Sequence, residues 1–315
     1  MNISCIILNY NDAETTISLV NSIINYKTLD SIVVVDNCSA DDSLSKLKRI
    51  AGGRIHVIAS ERNGGYGYGN NLGIRYAYGT LHASHVLIAN PDVKVSEDCI
   101  KAMKDSFLKL NRLGVAAAVT RDGAGTVTLS SWRINGLAGD LLDTGLITRR
   151  LFAPWLNDRP ELQAGSTKAG AKERLEGYPA AQNERQERED ERYVSVDAVP
   201  GSLFMADIHA LMDCGLYDEE VFLYYEEKIL GYQLKKMGYQ TVLLLDRSYV
   251  HLHSVSIDKS VKSILKKQAL LHKSKLHYYK KYLKINRFQE CLVRAFLGFL
   301  MGEIWFLTKI LGLSW

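Results

Sequence analysis

The feature that most constrains this chain is a set of short segments that are apolar from end to end. Ile3–Leu8, Ser31–Asp36, Arg54–Ala59 and His85–Ala89 lack the in–out alternation of a half-solvated strand. Between them run amphipathic stretches at about 13–25, 43–50 and 66–78, with another at about 97–110 and a further strand at 114–119. Apolar strands alternating with helices predict a mostly parallel sheet with helices on both faces. Such sheets present their carboxyl edge to ligands. Asn11, Asp12, Asp36, Asn37 and Asp92 all fall at that edge.

Bulk composition removes several classes. At 315 residues and 47% hydrophobic, the chain can bury a full core. A net charge of +4 lacks the strongly basic footprint of nucleic-acid binders. Five well-separated cysteines form no CxxC pair, which argues against a zinc knuckle or a disulfide framework and fits a reducing cytoplasm. Met1–Ser4 leads into a strand without a basic leader segment. Residues 121–193 mix glycine, polar and charged stretches and end in "NERQEREDER", a run that reads as a solvated helix or a loop.

Several stretches carry chemistry. "VLIANPDVKV" (86–95) ends an apolar strand on Asn90-Pro91-Asp92, either as a simple turn or as a carboxylate placed at the ligand edge. "VVVDNCSADDS" (33–43) places Asp36 at a strand tip, where an acid can accept from a ribose or a base. "ERNGGYGYGNNLGI" (61–74) lacks the P-loop lysine and the dinucleotide spacing, but its glycines allow backbone to approach a ring or phosphate closely. Glu226 and Glu227 open a helix after an aromatic segment that can desolvate one of them, as a general base requires. His251 and His253 follow a strand and share one side of an extended chain.

The order of these motifs resembles family 2 glycosyltransferases of the GT-A fold, especially the rhamnosyltransferase-like branch of bacterial surface-polysaccharide synthesis. The residues that carry the resemblance are "IILNYN" (6–11), "VVVDNCSADDS" (33–43), "NGGYGYGNNLGI" (63–74), "NPDV" (90–93), "PGSLFMAD" (200–207), "FLYYEE" (222–227) and "HLHSVS" (251–256). The resemblance implies a GT-A domain over 1–256, with a nucleotide-sugar half at 1–120. An acceptor half would follow at 121–256, containing a variable polar insert near 157–193. It implies that Asn9, Asn11, Asp36, Asn63, Gly64, Gly65, Tyr66, Asn70 and Asn90 hold the nucleotide-sugar. Asp92 would bind Mg²⁺ or Mn²⁺ on the diphosphate, with His251 as a later metal or diphosphate contact. Glu227, where the family usually has Asp, would be the catalytic base, with Glu226 as the alternative. Lys228, Ile229 and Gln233 depart from the family pattern after that pair.

The donor expected from the resemblance is dTDP-rhamnose or a UDP-sugar, and the acceptor a glycan, typically lipid-linked. A nucleotidyltransferase shares the sheet and the metal–diphosphate site, but a glycine-rich basic loop would be expected after the first strand, and "NYNDAETT" (9–16) has none. An inactive nucleotide-sugar-binding subunit is the non-catalytic alternative. In the tail, 257–315, a lysine- and tyrosine-rich segment (266–284) precedes an apolar one (286–315) interrupted by Arg294, Glu303 and Lys309. No stretch is expected to cross a bilayer, which takes roughly 20 mostly apolar residues. Peripheral contact with the inner face of the cell membrane is the expectation, and an intramolecular or dimer helix its alternative.

Overall fold

The computed structural model describes residues 1–145, 150–151, 193–252 and 263–309. Residues 157–192 of the expected polar insert, and His253 to Ser256 of the histidine motif, lie outside the described residues.

The four apolar segments form strands β1 (Ile3–Asn9), β2 (Ser31–Asp36), β3 (Ile55–Ala59) and β4 (His85–Ala89), as their composition requires. Helices α1 (Ala13–Ile23), α2 (Ser43–Ile50) and α3 (Tyr66–Gly79) make the crossovers between them. All four strands run parallel in the order β3-β2-β1-β4. The chain then adds β5 (Val93–Lys94), α4 (Glu97–Lys109), β6 (Leu113–Arg121), α5 (Leu137–Leu142), β7 (Tyr193–Val196), β8 (Leu203–Asp207) and α6 (Ile208–Asp213). Helix α7 (Glu226–Lys236), β9 (Gln240–His251) and the tail helices α8 (Ile264–Lys281) and α9 (Arg287–Lys309) complete it.

The full sheet reads β3-β2-β1-β4-β8-β6-β9-β5, with β7 also paired to β9. It is mostly parallel: only β5, β7 and β8 oppose the common direction. The reversal at β8 has a consequence for the site. Its amino end pairs Leu203 with Ala89, so Pro200-Gly201-Ser202 arrive at the edge where β1, β2 and β4 end.

Each face of the sheet has its own apolar layer. One gathers Leu19, Val20, Ile23, Leu47, Ile100 and Met103 under α1, α2 and α4. The other gathers Ile74, Ala77, Leu211, Leu230 and Leu234 under α3, α6 and α7. A third cluster follows the intramolecular alternative for the tail: Ile229 of α7 packs with Tyr278 and Tyr279 of α8 and with Val293, Leu297 and Leu300 of α9. The tail is therefore built onto the domain through the helix that carries the glutamate pair.

One expectation about the tail is corrected. Helix α9 is 23 residues long and, by length and composition, long and apolar enough to cross a membrane. The aromatic and aliphatic residues around Arg294 and Glu303 outweigh those two charges. In the lysine-rich segment Lys275 is buried, and Lys281 is paired with Asp218 and Glu220.

Candidate active site

At the carboxyl edge, register aligns Asn9 with Asp36 and Asp36 with Ala59. Asp36 is buried, and Ser39 folds the following turn back onto it through its backbone N–H (3.0 Å) and hydroxyl (2.7 Å). The Asn9 amide donates to the same carboxylate at 2.8 Å, while its oxygen accepts from Thr16 at 2.9 Å. Asn9 is completely buried and braces the Asp36 carboxylate. Asn11 has a left-handed backbone (φ 52) and receives the Ala40 N–H on its side chain at 2.8 Å. Ser39 ties this region together because it also accepts the Asn11 N–H at 2.9 Å.

The glycine-rich loop sits beside this turn. Asn37 donates to Asn63 (3.0 Å) and to the Gly65 carbonyl (3.2 Å), and its own side-chain oxygen is buried without a partner. Gly65 has φ 94, and a Cβ there would lie 2.1 Å from the Phe222 carbonyl oxygen. That carbonyl accepts the Tyr66 N–H at 3.0 Å, so the loop is fastened to the segment leading into the glutamate pair. Gly64 packs under the Tyr68 ring. Asn70 is buried, donating to the Tyr66 carbonyl at 3.0 Å, and so supports the loop from inside.

The Asn90-Pro91-Asp92 turn now has a physical account. The Asn90 N–H donates to Ser202 at 2.8 Å, extending the β4–β8 ladder by one residue. Pro91 has no N–H to continue that ladder. The chain turns, and β5 pairs Val93 with His251 of β9. This short ladder brings the Asp92 carboxylate within 3.2 Å of His251 Nε2, with both groups largely buried. Two ligands in adjacent positions around a small octahedral cation stand about 3 Å apart. An imidazole nitrogen and a carboxylate oxygen at this separation are a donor set that fits Mn²⁺ or Mg²⁺. A second acidic group, Asp218, Glu220 and His277, brings its ligand atoms within 4.8 Å of one another. Lys281 already donates to both of its carboxylates, which makes it an ion-pair cluster in this structure.

The glutamate pair opens α7 just after Tyr224 (φ 69) and Tyr225 (φ 74). The two acids differ sharply in setting. Glu226 is buried, has an oxygen with no partner, and is held well above the usual carboxylate range by burial and then by the Glu227 charge. Glu227 is partly exposed and accepts the Gly201 N–H at 3.1 Å. Burial raises it too, against the backbone hydrogen bonds that lower it. Tyr66 completes the arrangement, its hydroxyl donating to the Gly201 carbonyl at 2.6 Å. A Cβ on Gly201 would lie 2.7 Å from Glu227 Oε1, so the close approach requires glycine.

The glycosyl transferase family 2 model matches residues 4–157. Over 102 residues the chain is 36% identical to the low-salt glycan biosynthesis hexosyltransferase Agl10 of Haloferax volcanii. It is 28% identical over 102 residues to the succinoglycan biosynthesis protein ExoO of Rhizobium meliloti. Each match takes in 32% of this chain but only 31% and 28% of those proteins. In fold the chain is similar to GalNAc-T7, solved with UDP, GalNAc and Mn²⁺ (TM-score 0.57, 16% identity, 81% of this chain and 44% of that one). It is also similar to the mannosyltransferase PcManGT of Pyrobaculum calidifontis, solved with GDP-Man and Mn²⁺ (TM-score 0.54, 13% identity, 94% and 69%). Residues 4–157 are thus similar in sequence to glycosyl transferase family 2 domains, and the chain spans about a third of the length of the curated relatives it matches.

Proposed function

We propose that this protein is an inverting, metal-dependent glycosyltransferase that moves a sugar from a nucleotide-sugar to a glycan acceptor. The observation that carries the reading is the approach of Asp92 and His251, far apart in sequence, to 3.2 Å at the carboxyl edge of the sheet. A divalent cation held by these two groups would neutralise charge on the leaving diphosphate. The Asp36–Ser39 turn and the 63–66 loop hold the nucleoside, with Asn9 and Asn70 behind them.

Glu227 takes the acceptor's hydroxyl proton. The freed oxygen forms a bond to the anomeric carbon as the bond from that carbon to the diphosphate oxygen breaks, and the electron pair leaves with the nucleotide diphosphate. Attack opposite the leaving group inverts the configuration. Glu227 is chosen over Glu226 because it is the reachable member of the pair.

The substrate reading is more specific than the fold. Rhamnose, carried as dTDP-rhamnose, is favoured by the resemblance of the motifs, with UDP-sugars as the next candidates. A lipid-linked glycan of surface-polysaccharide synthesis is the proposed acceptor, met at the cytoplasmic face of the membrane. The outer face of α9 supports that location, since Phe288, Phe299 and Trp305 are 72%, 66% and 51% exposed.

The test is nucleotide-sugar binding with and without Mn²⁺, followed by acceptor-dependent nucleotide release. Asp92→Asn is expected to remove the metal-dependent part of donor affinity while its thermal unfolding stays two-state. Unchanged Mn²⁺-dependent affinity in that variant would overturn the metal assignment.

A further inference from the structure

Asp140 lies in α5, outside every motif that the sequence analysis singled out, and it is almost wholly buried at 2% exposure. One carboxylate oxygen takes the Lys228 ammonium of α7. The other accepts the Tyr225 hydroxyl and, at 2.6 Å, the Tyr279 hydroxyl of α8. Its backbone carbonyl accepts from buried Lys275 of α8 at 3.3 Å, and Lys275 also donates to Thr144. The Lys228 and Lys275 charges hold Asp140 below the usual carboxylate range despite its burial. A carboxylate this deep is stable only because cations and hydroxyls surround it.

The partners of Asp140 are not scattered. Tyr225 immediately precedes the glutamate pair and Lys228 immediately follows it. Tyr224 and Tyr225 are consecutive non-glycine residues in the left-handed region, a conformation that costs of order 1–3 kcal/mol each and persists only where surroundings enforce it. Three contacts enforce it here. Tyr66 of the glycine loop donates to the Phe222 carbonyl, Ser274 of α8 donates to the Leu223 carbonyl at 2.7 Å, and Asp140 receives Tyr225. Ser274, Lys275, Tyr278 and Tyr279 form one buried face of α8 directed at this turn. Lys228 and Ile229 are also where the motif departs from its family pattern. The ammonium binds Asp140 and the isoleucine joins the tail's apolar cluster.

We infer that Asp140 and the inner face of tail helix α8 are positioning elements that clamp both sides of the Glu226–Glu227 step and hold Glu227 against Gly201 for proton transfer. The inference rests on the assignment of Glu227 as base. The tail thereby belongs to the active site's support even though none of its residues touches the reacting atoms.

The experiment compares Tyr279→Phe, Lys228→Met and Lys228→Arg with Glu227→Gln in full-length protein, reading donor KM, kcat and thermal unfolding. Loss of a positioning contact is expected to lower kcat about tenfold with donor KM unchanged, since small misplacements of a reacting group carry large rate penalties. Lys228→Arg keeps the charge pair with Asp140 and is expected to restore kcat to near the native value. A purely structural role would lower the unfolding temperature of Tyr279→Phe and Lys228→Met and leave kcat per folded molecule unchanged, which overturns the inference. Glu227→Gln tells that failure apart from failure of the base assignment: if it turns over normally, the base is elsewhere and the inference falls with it.

Discussion

At the scale of single residues, the two glutamates illustrate how position alone divides labour between identical side chains. Both are raised above the ordinary value of 4.5, chiefly by burial, and Glu226 is raised further by the Glu227 charge. Burial first, and then the charges of both acids, push Tyr66 and Tyr217 up in turn, and neither tyrosine supplies a cation to pull the pair back down. As the proposed base, Glu227 would act only when ionised, so kcat should rise with pH through its raised pKa, and Glu227→Gln should cut turnover about a hundredfold or more while donor binding survives. Glu226→Gln should keep most activity. Its effect belongs to stability: the folded state holds the Glu226 proton more tightly than the unfolded chain does. The associated stability is therefore full below about pH 4.5 and is lost as pH rises through the raised folded pKa. Urea midpoints measured from pH 5 to 8 should fall less steeply for Glu226→Gln than for the native protein. An inactive Glu226→Gln beside a working Glu227→Gln would reverse the two roles.

The same scale shows what the sequence could and could not reveal about the site. The placement of Asp92 and His251 at the sheet edge, and of Glu227 at a helix start, was legible because its signals are local: a carboxylate after an apolar strand, a histidine at a strand end, an acid pair after an aromatic segment. The burial of Asn9 and Asn70 was not, since an amide that braces a carboxylate has the same letter as one that meets a ligand. Ser39 gave no sign of its tie to Asn11, and Asp140 gave no signal because its partners come from the turn before α7, from α7 and from α8, far away in sequence.

Among elements, the strands and helices followed the apolar pattern to within a residue or two at most ends, because continuous burial leaves little choice of register. The pairing partners of β7, β8 and β9 were a different matter. Their antiparallel neighbours depend on long-range contacts that no local period encodes. The contact between the glycine loop and the segment before α7 belongs here as well, and it can be measured. Gly65→Ala adds a Cβ against the Phe222 carbonyl in a strained backbone region, so it should lower stability by about 2 kcal/mol or more. Gly79→Ala, at the open end of α3 with nothing within 4 Å, should be neutral or stabilising by up to about 1 kcal/mol. Equal urea midpoints for the two variants would mean that the loop yields freely and does not fasten the turn.

For the whole molecule, the question is what covers the outer face of α9. Its inner residues Val293, Leu297 and Leu300 are committed to the α8 cluster, so lying along a membrane surface preserves contacts that crossing it would break. Phe288, Leu292, Phe299, Trp305 and Phe306 are exposed, and Lys266, Lys273 and Lys284 are exposed on or just beyond α8. If this face meets anionic lipid, full-length protein should sediment with anionic liposomes, and less so as salt screens the lysines, each worth about 1 kcal/mol near the surface. Phe299→Ser combined with Trp305→Ser should release it without lowering turnover on a soluble acceptor. A helix that instead joins two copies predicts no liposome binding at any salt and a halved sedimenting mass for the double variant. Removing α9 altogether is a poorer test, because it would uncover Tyr278 and Tyr279 beside the catalytic turn.

The smallest strand in the sheet has a consequence for the end of the reaction cycle. Strand β5 contributes only two residue pairs to β9, extended by one hydrogen bond from Leu252 to the Asp92 carbonyl (3.0 Å). The ladders joining β1 to β2, β1 to β4 and β2 to β3 run five or six pairs each, whereas this margin is fastened by very few bonds. Margins with so few bonds open locally at low free-energy cost. Asp92 lies just before this two-residue strand and His251 within its partner, so parting the seam would separate them. In the proposed reaction a charged nucleotide diphosphate must leave after every turnover, and such departures commonly limit the rate. Two side chains proposed to hold the metal, set on either side of so short a seam, would let the grip relax once the sugar has gone.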